Sequence, residues 1–226
     1  MTAIACEWTA ILVWWNSVVA ELFTYLLTRV VTLRIALLWI LLVVVLMVSA
    51  DNTGPPRETL LQALLLLAAT AVFRLWDDLA DIEYDLRLHP QRVLSTCRNL
   101  WPFIAVVVAG LAMLAYALRG EFRSLVAYLG LVLMLALLYH GKLGNPVDRP
   151  ARASLVLVKY PLFVYLLVTP SPRAWLAGLG LYLLLVAYEW RDDPDLRAAP
   201  ATRLVAAAAA GVFIVSLLYW SAGVRA

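Results

Sequence analysis

Long apolar runs alternate with short polar stretches along most of the chain. Each run has roughly the 20 residues that an α-helix needs to cross the hydrocarbon core of a bilayer. A backbone in lipid must satisfy its own hydrogen bonds, so such runs predict helices. The pattern therefore predicts an all-α polytopic bundle of seven membrane-spanning helices. They cover residues 31–50, 59–76, 101–118, 123–140, 153–169, 174–190 and 203–220.

The segment before these runs has a different pattern. Between residues 8 and 28, polar side chains recur at spacings of four, three and four, which places them on one side of a helix. They are Ser17, Glu21, Thr24 and Thr28. We expect an amphipathic helix that lies in the membrane interface, with an eighth span as the alternative. The chain then divides into an N-terminal interfacial helix at 1–29 and a transmembrane domain at 30–226.

Composition agrees with this pattern, because 64% of the 226 residues are apolar. That fraction exceeds the roughly 45–50% of soluble domains and excludes an ordinary water-soluble globule. If the first predicted span begins in the cytoplasm, eleven basic residues lie on that side and five on the other, which favours this orientation. Cys6 and Cys97 belong to no disulfide or metal pattern. We expect no nucleic-acid partner.

The acidic residues are strongly clustered. Nine of the 15 lie in two windows, 77–85 and 189–195, each at the predicted cytoplasmic end of a span. In the first window, Asp78, Asp81 and Asp85 are spaced by three and four, so they share about 60° of a helix surface. Carboxylates so close together repel one another, and a cation must offset them. Glu83 is predicted to point to the other side.

The second window repeats this arrangement at the end of another span. Glu189, Asp192 and Asp193 share a helix face, and Pro194 ends the helix. Carboxylate oxygens in two facing sets suit Mg²⁺, which also keeps sites for water and phosphate. Zinc is disfavoured, because the histidines, His89 and His140, are isolated and predicted to lie in loops. The alternative is that these acids form solvated loops paired with neighbouring arginines.

Basic residues lie close to both windows. Arg92 follows the first window by seven positions, and Lys142 and Arg149 lie in a predicted loop between the two. Mg²⁺ together with Arg or Lys can clamp a diphosphate. Anchoring at the cytoplasmic membrane surface explains the same residues equally well.

These windows resemble the paired motifs of the UbiA superfamily of intramembrane prenyltransferases. The first window matches NDxxDxxxD at every position but the first, where Asp77 replaces Asn, and the second resembles DxxxD with Glu189 in its first place. Their order along the predicted spans also agrees with the family, and the resemblance covers about residues 30–220. The chain departs from the family in having seven predicted spans instead of the usual nine. The Tyr and Lys of the family's loop after span four are matched loosely by Tyr139 and Lys142.

The resemblance implies a fold, a cofactor and a set of site residues. The resemblance implies that the same five acids hold Mg²⁺ and are the catalytic residues: Asp78, Asp81, Asp85, Glu189 and Asp193. The diphosphate would be bound by Arg92, Lys142, Asp77 and Tyr139. The implied reaction transfers an isoprenyl group from a prenyl diphosphate to an aromatic quinone precursor or a lipid, in a bilayer.

Two other functions stay open. A terpene cyclase of the same fold needs the same metal and diphosphate but no acceptor. A divalent-cation transporter is disfavoured, because the acids lie at one membrane face instead of through its depth. We expect a multi-pass protein of a bacterial inner membrane whose active site faces the cytoplasm. The acceptor, the prenyl chain length and the oligomeric state do not follow from the sequence.

Overall fold

The computed structural model describes residues 16–49, 55–97, 99–140, 149–169, 171–192, 197 and 200–223. This part of the chain is helical and contains no strand, which confirms the all-α class. The helices are α1 (Asn16–Val30), α2 (Leu33–Ser49), α3 (Pro56–Ala80), α4 (Ile82–Leu88), α5 (Val93–Thr96), α6 (Trp101–Leu118), α7 (Phe122–His140), α8 (Arg149–Val156), α9 (Lys159–Leu167), α10 (Pro172–Asp192) and α11 (Pro200–Gly223).

Proline marks the start of three of these helices. Pro56, Pro172 and Pro200 are the first residues of α3, α10 and α11, where the missing N–H costs no intrahelical hydrogen bond. Ser171 also caps α10, because its hydroxyl accepts a 3.1 Å hydrogen bond from the backbone N–H of Ala174.

Three described helices are long and apolar enough to cross a bilayer: α3, α6 and α7. α1 and α2 together pass the same test as a pair bent by 65°, which gives up to four spans. In the apolar windows of α6 and α7 only 17% of residues are buried, against 44% in α3. α6 and α7 therefore leave most of their apolar surface open to lipid, and α3 is the more enclosed helix.

The remaining predicted spans are helical but have not been confirmed as spans. Residues 174–190 lie within α10, and residues 203–220 lie within α11, of which Thr202–Val215 is a shorter apolar stretch. The count of seven spans stays a prediction.

The predicted helix at 153–169 is wrong as a single element, because the structure divides it. α8 ends at Val156 and α9 begins at Lys159. The backbone N–H of Val158 bonds to the carbonyl of Leu155 at 3.1 Å, a tighter turn than that of an α-helix. Pro161 explains the break, since it cannot donate to the carbonyl of Leu157 and its ring crowds that carbonyl.

The N-terminal helix α1 is only partly as expected. Residues 8–15 lie outside the described residues, and the rest is helical. The hydroxyls of Thr24 and Thr28 bond to carbonyls four residues earlier, both at 2.7 Å, so these polar groups are satisfied within the helix itself. Phe23 and Leu27 are exposed beside them. The interfacial position of this helix stays a prediction.

The chain packs as two compact units. The first comprises Met1–Leu38 and Ala68–Met113, and within it the second half of α3 meets α1 and α6. Its core includes Phe73 and Trp76, with ring centroids 5.8 Å apart, and Tyr25, whose ring meets that of Phe103 edge-on at 5.8 Å.

The second unit comprises Trp39–Leu67 and Leu114–Ala226. Here α9 packs against α7 and α10, and α11 packs against α10 and α8. The Trp39 indole donates a 2.9 Å hydrogen bond to the carbonyl of Ala63, and the Gln62 amide donates one of 3.0 Å to the carbonyl of Leu167.

Candidate functional site

The first acidic window lies where α3 passes into α4. Asp77 and Asp78 are in the last turn of α3, and Asp81 separates the two helices. The backbone N–H of Asp81 bonds to the carbonyl of Asp77 at 3.0 Å, and that of Asp85 bonds to the carbonyl of Asp81 at 2.9 Å. The N–H of Tyr84 also bonds to the carbonyl of Asp81, at 3.0 Å, so Asp81 caps α4 and a turn separates it from α3.

Burial within this window follows the predicted helical face. Asp78 and Asp85 are buried, with exposed fractions of 6% and 5%, and Asp77 and Asp81 are half-buried. Glu83 is exposed, as its position on the opposite side predicts. The motif thus directs two carboxylates inward and one outward.

Asp78 is the centre of a polar cluster formed with α1. The guanidinium of Arg29 donates to both carboxylate oxygens, from Nε at 2.9 Å and from Nη2 at 2.8 Å. The hydroxyl of Tyr25 donates to Oδ2 at 2.9 Å. Arg74, one turn earlier on α3, places Nη2 3.3 Å from Oδ1. Both carboxylate oxygens are therefore engaged, in the bidentate geometry that makes Arg–carboxylate pairs strong.

Asp85 has an arginine partner of its own. Arg92, at the N-cap of α5, donates through Nη1 to Oδ1 of Asp85. The short connection between α4 and α5 brings the two together, because the backbone N–H of Arg92 bonds to the carbonyl of His89 at 3.0 Å. The predicted diphosphate ligand Arg92 therefore lies directly beside the first motif.

These pairs decide between two expectations from the sequence. The spacing required a cation to offset the clustered carboxylates, and the chain supplies arginines for Asp78 and Asp85. The alternative of a solvated loop is wrong for these two acids, because both are buried on helices. The same alternative also paired the acids with nearby arginines, and that part is correct for Asp78 and Asp85.

A second contact joins α1 to the segment before α6. The thiol of Cys97 hydrogen-bonds to the carboxylate of Glu21. Partial burial, followed by the negative charge of Glu21, raises the pKa of this thiol from 9.0 to about 11. Cys97 is therefore a protonated, slowly reacting thiol at neutral pH.

A close helix approach holds α3 in this unit. A Cβ atom built on Gly110 of α6 would lie 2.4 Å from Cγ2 of Val72 on α3. Only glycine admits this contact, and it fixes the helix that ends in the acidic motif.

The second window is described only in part. Glu189 lies half-buried in the last turn of α10, which ends at Asp192 as the proline predicted. Asp193 and Lys142 lie outside the described residues. Glu189 belongs to the second packing unit and Asp78 to the first, so the joint site of the two motifs stays a prediction.

Tyr139 and His140 end α7, with their rings 6.2 Å apart and nearly perpendicular. The prediction that His140 lies in a loop is therefore wrong, because α7 continues through it.

A metal ion at the first acidic window would compete with groups of the protein that already bind the carboxylates. Among the described residues, no three His, Cys, Asp or Glu side chains form a group able to hold a metal. Asp78, Asp81 and Asp85 have the hard oxygens that Mg²⁺ prefers, but their side chains do not converge into one such group. Any cation at Asp78 would have to replace hydrogen bonds from Arg29 and Tyr25.

Sequence reasoning missed the three partners of Asp78. Arg29 is one of the eleven basic residues predicted for the cytoplasmic side, and Arg74 lies within the predicted span 59–76. The spacing of four between Arg74 and Asp78 was an available signal, because such residues meet on a helix. Tyr25 and Arg29 also share a helix face, but nothing local pairs them with a residue about 50 positions away.

Comparison with known proteins adds no family to this picture. No protein-family model matches the chain, and searches of curated proteins and of solved structures find no match either. The resemblance to UbiA prenyltransferases therefore rests on the motif residues themselves.

Proposed function

We propose that this protein is a Mg²⁺-dependent intramembrane prenyltransferase similar to the UbiA superfamily. The observation that carries the proposal is a pair of buried carboxylates next to arginines: Asp78 in the last turn of α3, which is long and apolar enough to span a membrane, and Asp85 on the following helix α4. Charged side chains are common at the ends of spans, but buried ones are held by partners and often belong to functional sites in membrane proteins. Carboxylates beside guanidinium groups suit a ligand that combines a metal ion with an anion.

The proposed reaction breaks the bond between the allylic carbon and the diphosphate oxygen. The diphosphate leaves with the electron pair, the acceptor forms a new bond to the allylic carbon, and the acceptor then loses a proton. Mg²⁺ would neutralise charge on the leaving diphosphate, held by the five acids Asp78, Asp81, Asp85, Glu189 and Asp193.

The chain's own groups would orient the diphosphate and keep water out. Arg92 would donate to its oxygens when it exchanges Asp85 for the ligand, and Lys142 and Tyr139 would donate beside it. Asp77 has no proton to donate, so it would contact the diphosphate through a cation or water. The apolar surfaces of the surrounding helices would exclude water, so that the allylic cation meets the acceptor and not hydroxide. The acceptor class is an aromatic quinone precursor or a lipid.

The same proposal places the protein in the membrane. We infer seven spans, with the acidic motifs and most basic residues on the cytoplasmic side of a bacterial inner membrane, from the bias of eleven basic residues to five. The bilayer is then both the solvent of the protein and the source of its hydrophobic substrates.

The experiment is a diphosphate-release assay on the purified protein in lipid nanodiscs, with allylic diphosphates of several lengths. A transferase releases diphosphate only when an aromatic or lipid acceptor is added, and release stops on chelation of divalent metal. Release without acceptor, with a cyclic product, would assign the cyclase. Transport of Mg²⁺ into vesicles without any diphosphate release would overturn the enzyme.

A further inference from the structure

α1 contacts the first packing unit through one line of polar side chains. Glu21, Tyr25 and Arg29 follow one another at spacings of four, so they share a face of the helix. Glu21 bonds to Cys97, and the other two bond to Asp78. The polar contacts of α1 thus meet both the acidic motif and the segment that leads into α6.

The end of α1, which contains Arg29, departs from regular α-helical geometry. The last turn of α1, Leu26–Val30, is a π-helix, in which the N–H of Val31 reaches back to the carbonyl of Leu26 at 2.7 Å. α2 then leaves at 65° to α1. π-helical turns are rare and occur often at functional sites. A movement of α1 would bend the chain at this turn, which contains Arg29.

Asp78 cannot keep all these bonds and also bind a metal ion through Oδ2. Both of its oxygens accept hydrogen bonds from α1, whereas Arg74 lies on α3 itself. Oδ2 accepts both of its hydrogen bonds from α1, so a cation that takes Oδ2 must displace Tyr25 or Arg29. The contacts that would be lost are those that hold α1 in place.

We propose that α1 is a latch over the first acidic motif, and that Mg²⁺ with diphosphate opens it by replacing Arg29 and Tyr25 at Asp78. The metal step of this inference rests on the proposed function. The latch itself rests on the contacts of Arg29, Tyr25 and Glu21 with α3 and with Cys97. Opening withdraws Glu21 from Cys97, so the reactivity of this thiol reports the position of α1.

The test measures the alkylation rate of Cys97 by N-ethylmaleimide in a Cys6→Ser background, in lipid nanodiscs at pH 7.5. Arg29→Gln should raise the rate without any metal by about fivefold or more, the lower end of couplings between linked sites. In the protein with Arg29 intact, Mg²⁺ and inorganic diphosphate should raise the alkylation rate of Cys97 towards that of Arg29→Gln. Arg87→Gln is the matched control, because it removes the same charge from an exposed position on α4 and should change nothing.

Tyr25→Phe is a second variant of the same cluster that should fold normally, because it removes only one hydroxyl. It should give a smaller acceleration in the same direction. Rates of Arg29→Gln and Tyr25→Phe equal to that of Arg87→Gln would overturn the latch, whatever the enzyme does. Turnover of a prenyl diphosphate with no response of Cys97 to Mg²⁺ and diphosphate would overturn the metal step and leave the proposed function intact. Response of Cys97 in a protein that turns over no substrate would support the latch and count against the prenyltransferase.

Discussion

The carboxylate of Asp78 has two roles that a single substitution removes together. It is the first acid of the proposed metal site, and it is also the counter-charge of Arg29 and Arg74. The spacing of the acids suggested mutual repulsion, so that loss of one would relieve strain. The ion pairs reverse that expectation, because removal of Asp78 leaves two partly buried guanidinium groups uncompensated.

Asp78→Asn should therefore lower the free energy of unfolding by about 3 kcal/mol, the lower end for breaking a buried ion pair, since both arginines keep some exposure. Denaturant titration in detergent, followed by circular dichroism, measures this loss. Glu83→Gln, at an exposed position on α4, should change stability by less than about 0.5 kcal/mol. Equal stability of the two variants would contradict the ion-pair cluster.

The thiol of Cys97 gives a pH-dependent prediction. Its pKa is raised to about 11, and the thiolate is the reactive form, so alkylation by iodoacetamide should keep rising to pH 10 without a plateau. Glu21→Gln removes the neighbouring negative charge and should shift the profile to lower pH. In the Cys6→Ser background, a plateau near pH 9 in the protein with Glu21 intact would contradict the contact. Because the folded pKa is the higher one, the stabilisation from the neutral thiol is present below pH 9 and is lost as the pH rises through 11.

For single residues, the sequence predicted which face of a helix a side chain lies on but not which residues it contacts. The outward position of Glu83 follows from 100° per residue alone. The bond between Tyr25 and Asp78 joins residues 53 positions apart, and only tertiary packing brings them together.

Among the elements, α3 matters most because it carries the acidic motif at its end. Its position depends on the close approach of Val72 to Gly110 on α6. Gly110→Ala should destabilise the protein by about 1–3 kcal/mol, because the added methyl group overpacks this contact. Addition of Val72→Ala should restore most of the loss, measured by the same denaturant titration.

Gly130→Ala in α7 is the control, since nothing lies within 4 Å of a Cβ atom there. It should be neutral or slightly stabilising, because alanine favours helix over glycine. If Gly110→Ala behaved like Gly130→Ala, the close contact of α3 with α6 would be wrong.

Element positions were largely predictable where the apolar runs were long. The runs at 59–76, 101–118 and 123–140 lie within α3, α6 and α7. The break between α8 and α9 was not predicted, because the apolar residues around Lys159 and Pro161 dominate the hydropathy of this run. Hydropathy also does not detect the backbone hydrogen bond that proline cannot make. The bend between α1 and α2 lies at residues 31–32, next to the predicted boundary between the N-terminal helix and the first apolar run.

For the whole molecule, composition sufficed to predict a helical membrane protein, and the orientation is still to be measured. In the Cys6→Ser background, a membrane-impermeant thiol reagent should label Cys97 only when the cytoplasmic face is open, as in inverted vesicles. Labelling from outside in intact cells would contradict the inferred topology. Labelling at raised pH compensates for the high pKa of this thiol.

The joint site was the part of the molecule that the sequence could suggest but not establish. Asp81 and Asp193 are more than 100 positions apart, and whether they hold one ligand depends on how the helices assemble. Local patterns determine the face of each motif and contain no information about the distance between them.

The most direct test of that claim is metal-dependent diphosphate release by Asp81→Asn, Asp193→Asn and the double variant. Each single change should reduce turnover by about a hundredfold or more, the usual cost of losing a preorganised electrostatic contact. The double variant should lose far less than the product of the two, because parts of one catalytic unit are not additive. Glu83→Gln should keep most activity. Independent, multiplying losses, or a Glu83→Gln variant as impaired as Asp81→Asn, would contradict a single metal–diphosphate site built from both motifs.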